Sequence, residues 1–473
     1  MFPNTTFCRK WSMTMYKNQK LPLGEMTFTK DFINDTRGDL YPILKKTEDC
    51  QESVFQNQYQ IRWGSVTRLL GQFFPYASYE ITAAPLLGKF GFIFYLTDAS
   101  VSVLLQNDRI CFHDGEKAES IAAPDWLSED MTMIVSCRPG AFDIYFRQNG
   151  QPIYVHTFYS EEFAASHQQE RFFAGKAALC VSGTVIIKSV SYYLDCGISQ
   201  ADIRPVRYEN GDVLTENGKI WLTISIRLQE GMMQGVFSWI PGTSQLELTG
   251  ALLFDSGDGL WCGDVATSLL YHREQKKWLL WVCSFAHDHI LGHAAFEGDP
   301  RTGINVIDIT LMEKAPANAP ISVFAGMTGD EDPDFYYDEE MKKWYLAICR
   351  VDPAINAYRY VFFESEDPFE GYTCIGQGQD GAETGGLFVK IKGERYFVCG
   401  NSFDHVSDYR IYGKDGMINP GFDYPDGGFR GWGALMPISQ GSRTRYYWLT
   451  FDRHNGSGWN WSYGNLYCFE AVI

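Results

Sequence analysis

Positive charge is scarce in this 473-residue chain: 40 Lys+Arg stand against 58 Asp+Glu, a net charge of −18 at pH 7. Such a chain repels a polyanion such as nucleic acid unless a basic patch intervenes, and no stretch of the sequence forms one. Long apolar runs are missing too. Nothing approaches the ~18 uninterrupted apolar residues of a membrane helix. The opening MFPNTTFCRKWSMTMYKNQKLPLG has no apolar segment behind its basic residues, as a secretion signal would. The chain therefore reads as soluble, unexported and cytoplasmic, with no membrane or nucleic-acid partner. Its 12 cysteines include no CxxC pair, which argues against a zinc or redox site. Many of them (Cys111, Cys137, Cys180, Cys283, Cys349, Cys399) lie inside strand-like runs, where a reduced thiol packs as a small hydrophobe. Helical periodicity is scarce, so the amphipathic runs of a parallel α/β protein are absent.

What recurs is short alternating runs of Tyr, Phe, Val, Ile and Trp, punctuated by Gly, Asn and Asp, the pattern of an antiparallel all-β chain. Between about residues 65 and 195 these runs follow at sandwich spacing, and Asn149-Gly150 is a strong two-residue hairpin signal. The strand rhythm and the DIYFRQNG hairpin resemble the concanavalin and laminin-G type of sandwich. A different repeat begins near residue 205. DVATSLLYHREQKKWLLWVCSF from Asp264, DPDFYYDEEMKKWYLAICRV from Asp332 and ETGGLFVKIKGERYFVCGNS from Glu383 each give an acid, an apolar strand, a charged turn and a second strand with a cysteine near its end. GWGALMPISQGSRTRYYWLTFDRH adds an acid-free copy. Multi-strand units at a period of about 50 residues mark a propeller, and about 270 residues at that period make roughly five blades. NGKIWLTISIR and GVFSWIPGTSQLELTG are expected to supply the remaining blade, and WSYGNLYCFEAVI to close the ring. The expected organisation is an N-terminal arm (1–24), a β-sandwich (25–200) and a five-bladed β-propeller (205–473).

In a propeller the innermost strand of each blade starts at one face near the axis, so an acid that opens such a strand looks into a central funnel. That geometry brings Asp264, Asp332 and Glu383 together. Residues just after the second strands should ring the same opening: His287, His289, Arg350, Asn401, Arg453 and His454. Trp261 and Trp432 border glycines, which suggests exposed turns where an indole stacks on a sugar, although propellers also bury many aromatics. Arg430 precedes the acid-free copy and reads as a contact to substrate or to an acid. Arg350 reads equally as a partner of a rim carboxylate. Asp334 shares a strand face with Asp332 and is its natural substitute. HDHILGH invites a metal reading, but histidines at a strand end are more often hydrogen-bonded structure or sugar contacts, so no metal or other cofactor is expected.

The DP-x-x-F-x-x-D pattern at Asp332, ahead of a Lys-Trp-Tyr-Leu strand and between two further acid-led strands, resembles glycoside hydrolase family 43 and its five-bladed relatives. The resemblance covers roughly residues 255–460. It implies Asp264 as general base, Asp332 as the residue that orients and tunes the acid, Glu383 as general acid, and inversion at the anomeric carbon. Two departures are plain: Asp264 is not followed by proline, and Glu383 is followed by Thr-Gly-Gly. The Arg-Asp-Pro motif of β-fructofuranosidases is near, with Glu331 in the arginine's place. Cleavage through an oxocarbenium-like state needs one protonated and one ionised carboxyl, hence two acids whose environments separate their pKa values. The function expected is removal of a terminal pentose or furanose-type sugar from an oligosaccharide. A glycoside phosphorylase, with Arg350, Arg430, Arg453 and His454 on phosphate, and a non-catalytic carbohydrate-binding protein are the alternatives. Association with further copies of the chain is left open.

Overall fold

The computed structural model describes residues 11–15, 42–127, 130–194, 197, 199–227, 231–243, 245–312, 329–352, 354–378, 382–401, 409–413, 416–418, 431–441, 443–451 and 466–471. Among these, no helix is long and apolar enough to cross a membrane. The chain divides into two compact units, one of Leu23–Asp195 with Gly259–Trp261, the other of Met1–Pro22, Cys196–Asp258 and Cys262–Ile473.

The first unit is a sandwich made from one twelve-stranded antiparallel sheet that turns back on itself. Its spine is a pair of 19-residue strands, Ala77–Tyr95 and Lys176–Leu194, hydrogen-bonded from end to end. The first half of Ala77–Tyr95 pairs with Met131–Arg138 and its second half with Ser100–Gln106, so each long strand serves both layers. The crossing is tight where the pair bends. A Cβ at Gly183, whose φ is +87°, would lie 2.2 Å from the Leu87 carbonyl oxygen, which only glycine tolerates. Asn149 (φ 53°) and Gly150 (φ 78°) both take the left-handed conformation that a two-residue hairpin between Ala141–Gln148 and Gln151–Tyr159 requires. Between the layers the core is aromatic: Phe94 stacks on Phe142 with centroids 5.4 Å apart, and Phe112 on Phe158 at 4.8 Å.

The second unit is a propeller of five blades whose successive strands pair antiparallel, with a parallel edge pairing added in the first and second blades. Their innermost strands are Ser199–Pro205, Val265–His272, Glu331–Asp338, Glu383–Ile391 and Ala434–Gln440. The blade assembled from Lys219–Arg227, Met232–Trp239 and Leu246–Asp255 contains the two segments expected for it, and Ser199–Pro205 gives it an inner strand that the sequence reading did not identify. Ring closure also differs from expectation. The C-terminal strand Leu466–Ala471 is third in the fifth blade, and Trp11–Met15, within the segment read as an arm, pairs with it as the outermost strand. One blade thus holds both ends of the chain together. Cys283, Cys349 and Cys399 are buried as free thiols at the ends of second strands, as their apolar neighbours suggest.

Deleting residues 1–15 removes five ladder positions from the closing blade and exposes the edge of Leu466–Ala471. Calorimetry of the shortened chain is expected to show a thermal midpoint at least ~3 °C lower, because ~1 kcal/mol corresponds to about 2–4 °C in a domain of this size. An unchanged midpoint would show that the strand adds nothing to closure.

Candidate active site

Four of the five inner strands begin with the same irregularity. Their ladder to the second strand breaks between Ala201 and Arg204, Val265 and Ser268, Glu331 and Asp334, and Thr384 and Leu387. Just past the first residue of each break sits a left-handed residue: Asp202 (φ 52°), Ala266 (φ 57°), Asp332 (φ 47°) and Gly385 (φ 59°). These four positions are therefore equivalent. Such bulges re-aim side chains, and a left-handed non-glycine residue costs on the order of 1 kcal/mol that the surrounding structure must offset.

This register corrects the stacking of the repeat. Asp264, Asp330 and Glu383 share one position, two residues ahead of the bulge residues, and Asp332 matches Asp202. Matching Trp278 and Cys283 to Trp344 and Cys349 gives this register; matching Asp264 to Asp332 slides it by two residues. Asp202 was missed, although ADIRPVRYENGDVLTENGKIWLT carries the same signal as the other copies: an acid, a turn with Asn-Gly, and a second strand.

Asp202 and Asp332 belong to a buried cluster in which four inner strands meet. Arg204, two residues beyond Asp202, donates from Nη1 to the Gly386 carbonyl at 2.5 Å. Its guanidinium nitrogens lie 3.9 Å from Asp332 Oδ1 and 3.7 Å from Asp334 Oδ1. Its Nε and Nη2 have no hydrogen-bond partner among the described residues. Asp332 Oδ2 accepts from Thr384 Oγ1 at 2.8 Å and the Gly385 amide at 2.9 Å. Asp334 is fully committed, accepting from Arg207, from Ser268 Oγ at 2.7 Å and from the Phe388 amide at 2.7 Å. The Ile203 amide donates to the Trp432 carbonyl at 3.0 Å, tying in the fifth blade. Burial, and then the charge of Asp332, push the Asp202 carboxyl up to about 7, against the pull of Arg227, Ser225 and Arg204.

The residues expected from sequence fall into several places. Asp332 lies in this cluster. Asp264 is buried beside its own blade's second strand, accepting from Ser284 Oγ at 2.7 Å and the Ala286 amide at 3.2 Å, and burial raises its pKa. Ser284 is 2.8 Å from His287 Nδ1, and His287 Nε2 is 3.1 Å from Ser256 Oγ. Glu383 is fully buried: the Tyr360 amide donates to one carboxylate oxygen at 2.9 Å and the Tyr412 hydroxyl to the other. His289 Nδ1 stands 2.9 Å from Glu331 Oε1. His293 packs on the Phe369 ring at 4.6 Å, and the described residues hold no group of three or more His, Cys, Asp or Glu placed to bind a metal ion.

Three expected contacts to sugar are buried instead. Arg350 pairs with Asp330 through Nε and Nη2, because a guanidinium in this interior needs a carboxylate partner. Trp432 is 6% exposed, and its Nε1 donates to Thr384 Oγ1 at 2.9 Å, so its indole supports the hydroxyl that holds Asp332. Trp261 is 5% exposed within the sandwich unit, against the rings of Phe172 and Phe173 at 4.6 and 4.9 Å. The flanking glycines that suggested exposed turns instead allow close backbone approach: a Cβ at Gly433 would lie 2.4 Å from the Tyr409 hydroxyl. Asn401 pairs through its backbone with Glu383, and its side chain lies outside what is described. Arg430, Arg453 and His454 lie outside the described residues.

No protein-family model matches the sequence, and no curated protein does. Among solved structures the chain is similar to a thermostable family-43 glycoside hydrolase (14% identity, 57% of this chain and 88% of that one, TM-score 0.36). It is also similar to a levansucrase mutant of B. subtilis (10% identity, 58% and 86%, TM-score 0.41) and to the carbohydrate binding module CBM66 of Bacillus subtilis (14% identity, 32% and 94%, TM-score 0.24). At these scores the likeness is one of fold.

A carboxyl at about 7 in the folded chain and 3.8 in its ordinary state binds its proton more tightly when folded, so its contribution to stability falls as pH rises from about 4 to about 7. Thermal midpoints of the wild type are therefore expected to drop across that interval, and those of Asp202→Asn to drop less. Parallel curves for the two chains would refute the placement of a raised pKa on Asp202.

Proposed function

We propose that this chain hydrolyses glycosidic bonds, with Asp202 and Asp332 as the proton-handling pair. The observation that carries the reading is the unequal environment of two carboxyls at equivalent bulges of two inner strands. Asp202 is held near 7 and keeps its proton into the neutral range. Asp332 has a different setting: Oδ2 accepts from a hydroxyl and an amide, and Oδ1 lies 3.9 Å from Arg204. Asp202 then protonates the leaving oxygen, and Asp332 activates water at the anomeric carbon. The resemblance to family 43 implies a terminal pentose or furanose-type sugar, an oligosaccharide substrate and inversion.

A second assignment gives proton donation to Glu383, in line with that resemblance. What favours it is adjacency, since the next residue, Thr384, is the one that holds Asp332. Phosphorolysis has less support: Arg350 is spent on Asp330, and the other cations considered for phosphate lie outside the described residues.

Chromogenic pentosides and fructosides, assayed with and without phosphate, are expected to be cleaved without phosphate. Asp202→Asn and Asp332→Asn are each expected to lower kcat by about 10²–10⁴-fold, the usual worth of a positioned acid or base. If Glu383→Gln is folded and loses turnover to that degree while Asp202→Asn does not, the donor is Glu383. Binding of sugars without turnover of any glycoside would reject hydrolysis.

The pH profile gives a separate check. Removing the Asp332 charge lowers the Asp202 pKa, so the residual activity of Asp332→Asn should lose its alkaline limb at a lower pH than the wild type. An unmoved limb would break the electrostatic link between the two acids.

A further inference from the structure

We infer that the propeller carries a second site, for a small phosphate-bearing ligand, at the ends of the inner strands remote from the acids. A cavity of about 810 Å³ opens there. Its walls come from the connection Tyr208–Thr215 and from the hairpins, strand ends and turns alike, that lead out of the inner strands of the second, fourth and fifth blades. Five cationic side chains line it, Arg273, Lys390, Lys392, Arg443 and Arg445, against one acid, Asp212. In a chain of net charge −18, that local balance is inverted.

The cations are not all spent within the fold. Arg273 is held by Glu209, and Arg445 by Glu470 at 3.2 Å. Lys390, Lys392 and Arg443 form no ion pair among the described residues and are exposed at the wall. Three uncompensated charges that converge from two blades on one concave surface repel one another, and each is stabilised by an anion placed between them. Arginine offers a fork matched to phosphate oxygens, and lysines add point charges without fixed geometry, a set suited to a phosphate group. The volume exceeds what a free phosphate fills and accommodates a sugar phosphate.

This site is separate from the acid cluster. Gly385, whose amide holds Asp332, and Lys390 lie five residues apart on one strand, about 17 Å at ~3.3 Å per residue. Phosphate bound here therefore does not reach a bond broken at Asp332, and the inference stands whether or not the chain hydrolyses glycosides.

The test is calorimetric titration of the full-length chain with inorganic phosphate, a hexose 6-phosphate and the unphosphorylated hexose, at constant ionic strength held with chloride. At least one phosphate-bearing compound is expected to bind at one site per chain, and the neutral hexose to bind at least tenfold more weakly. Binding of the ester alone identifies an organic phosphate. Equal binding of ester and inorganic phosphate shows that the phosphate group itself is what the site takes. Lys392→Glu with Arg443→Glu, or the milder Lys392→Gln with Arg443→Gln should the first pair unfold, is expected to weaken binding at least tenfold with the thermal midpoint in phosphate-free buffer unchanged. Absence of binding by both phosphate compounds, equal binding of the neutral hexose, or unchanged affinity in a folded double variant would overturn the inference.

Discussion

The propeller turns on one buried guanidinium. Arg204 rises from the inner strand of the first blade, donates to a backbone carbonyl of the fourth and lies between two carboxyls of the third. A charge this far from water is tolerated only where opposite charge and acceptors surround it, and removing one partner of such a set costs more than the set contributes as a whole. Three strands distant in sequence are thereby obliged to meet with their acids inward. The neighbouring Arg207 repeats the arrangement with Asp334 and the Phe388 carbonyl. Asp334 is consumed by this structural duty, which leaves Asp202 and Asp332 as the members of the cluster with chemistry to spare.

The same crowding sets the protonation pattern. Asp202 and Asp332 occupy equivalent bulges, yet Thr384 and the Gly385 amide serve only Asp332. Asp202 has burial and a neighbouring negative charge working against ionisation, and the lower-cost response of the pair is for Asp202 to keep its proton. A carboxyl that keeps its proton, set beside a second one in a different hydrogen-bonding environment, is the arrangement that paired acid and base catalysis uses. The strain of the left-handed residues serves this end, because the bulge is what turns both side chains inward.

Charge is distributed unevenly along the inner strands. Buried acids cluster with Arg204 and Arg207 where several of these strands begin, and exposed cations line the cavity at the far ends of those of the fourth and fifth blades. Each strand contributes to both ends through residues a few positions apart, as Glu383–Ile391 does with Gly385 and Lys390. An anionic ligand is thereby excluded from one end and attracted to the other, although the chain as a whole is strongly acidic.

The sequence by itself determined the all-β class, the hairpin at Asn149-Gly150 and the blade repeat, because strand alternation, turn chemistry and the spacing of Trp and Cys anchors are local signals. It did not determine which acids share a register. A bulge inserts residues without changing composition, so Asp264 aligned with Asp332 when its true counterpart was Asp330. Nor could the sequence show that Arg350, Trp261 and Trp432 are interior, since burial depends on partners far along the chain: Asp330, the Phe172 and Phe173 rings, and Thr384. The basic patch that no stretch of the sequence contains exists all the same. Its five cations come from the hairpins of three separate blades, and only the closure of the ring brings them to one wall.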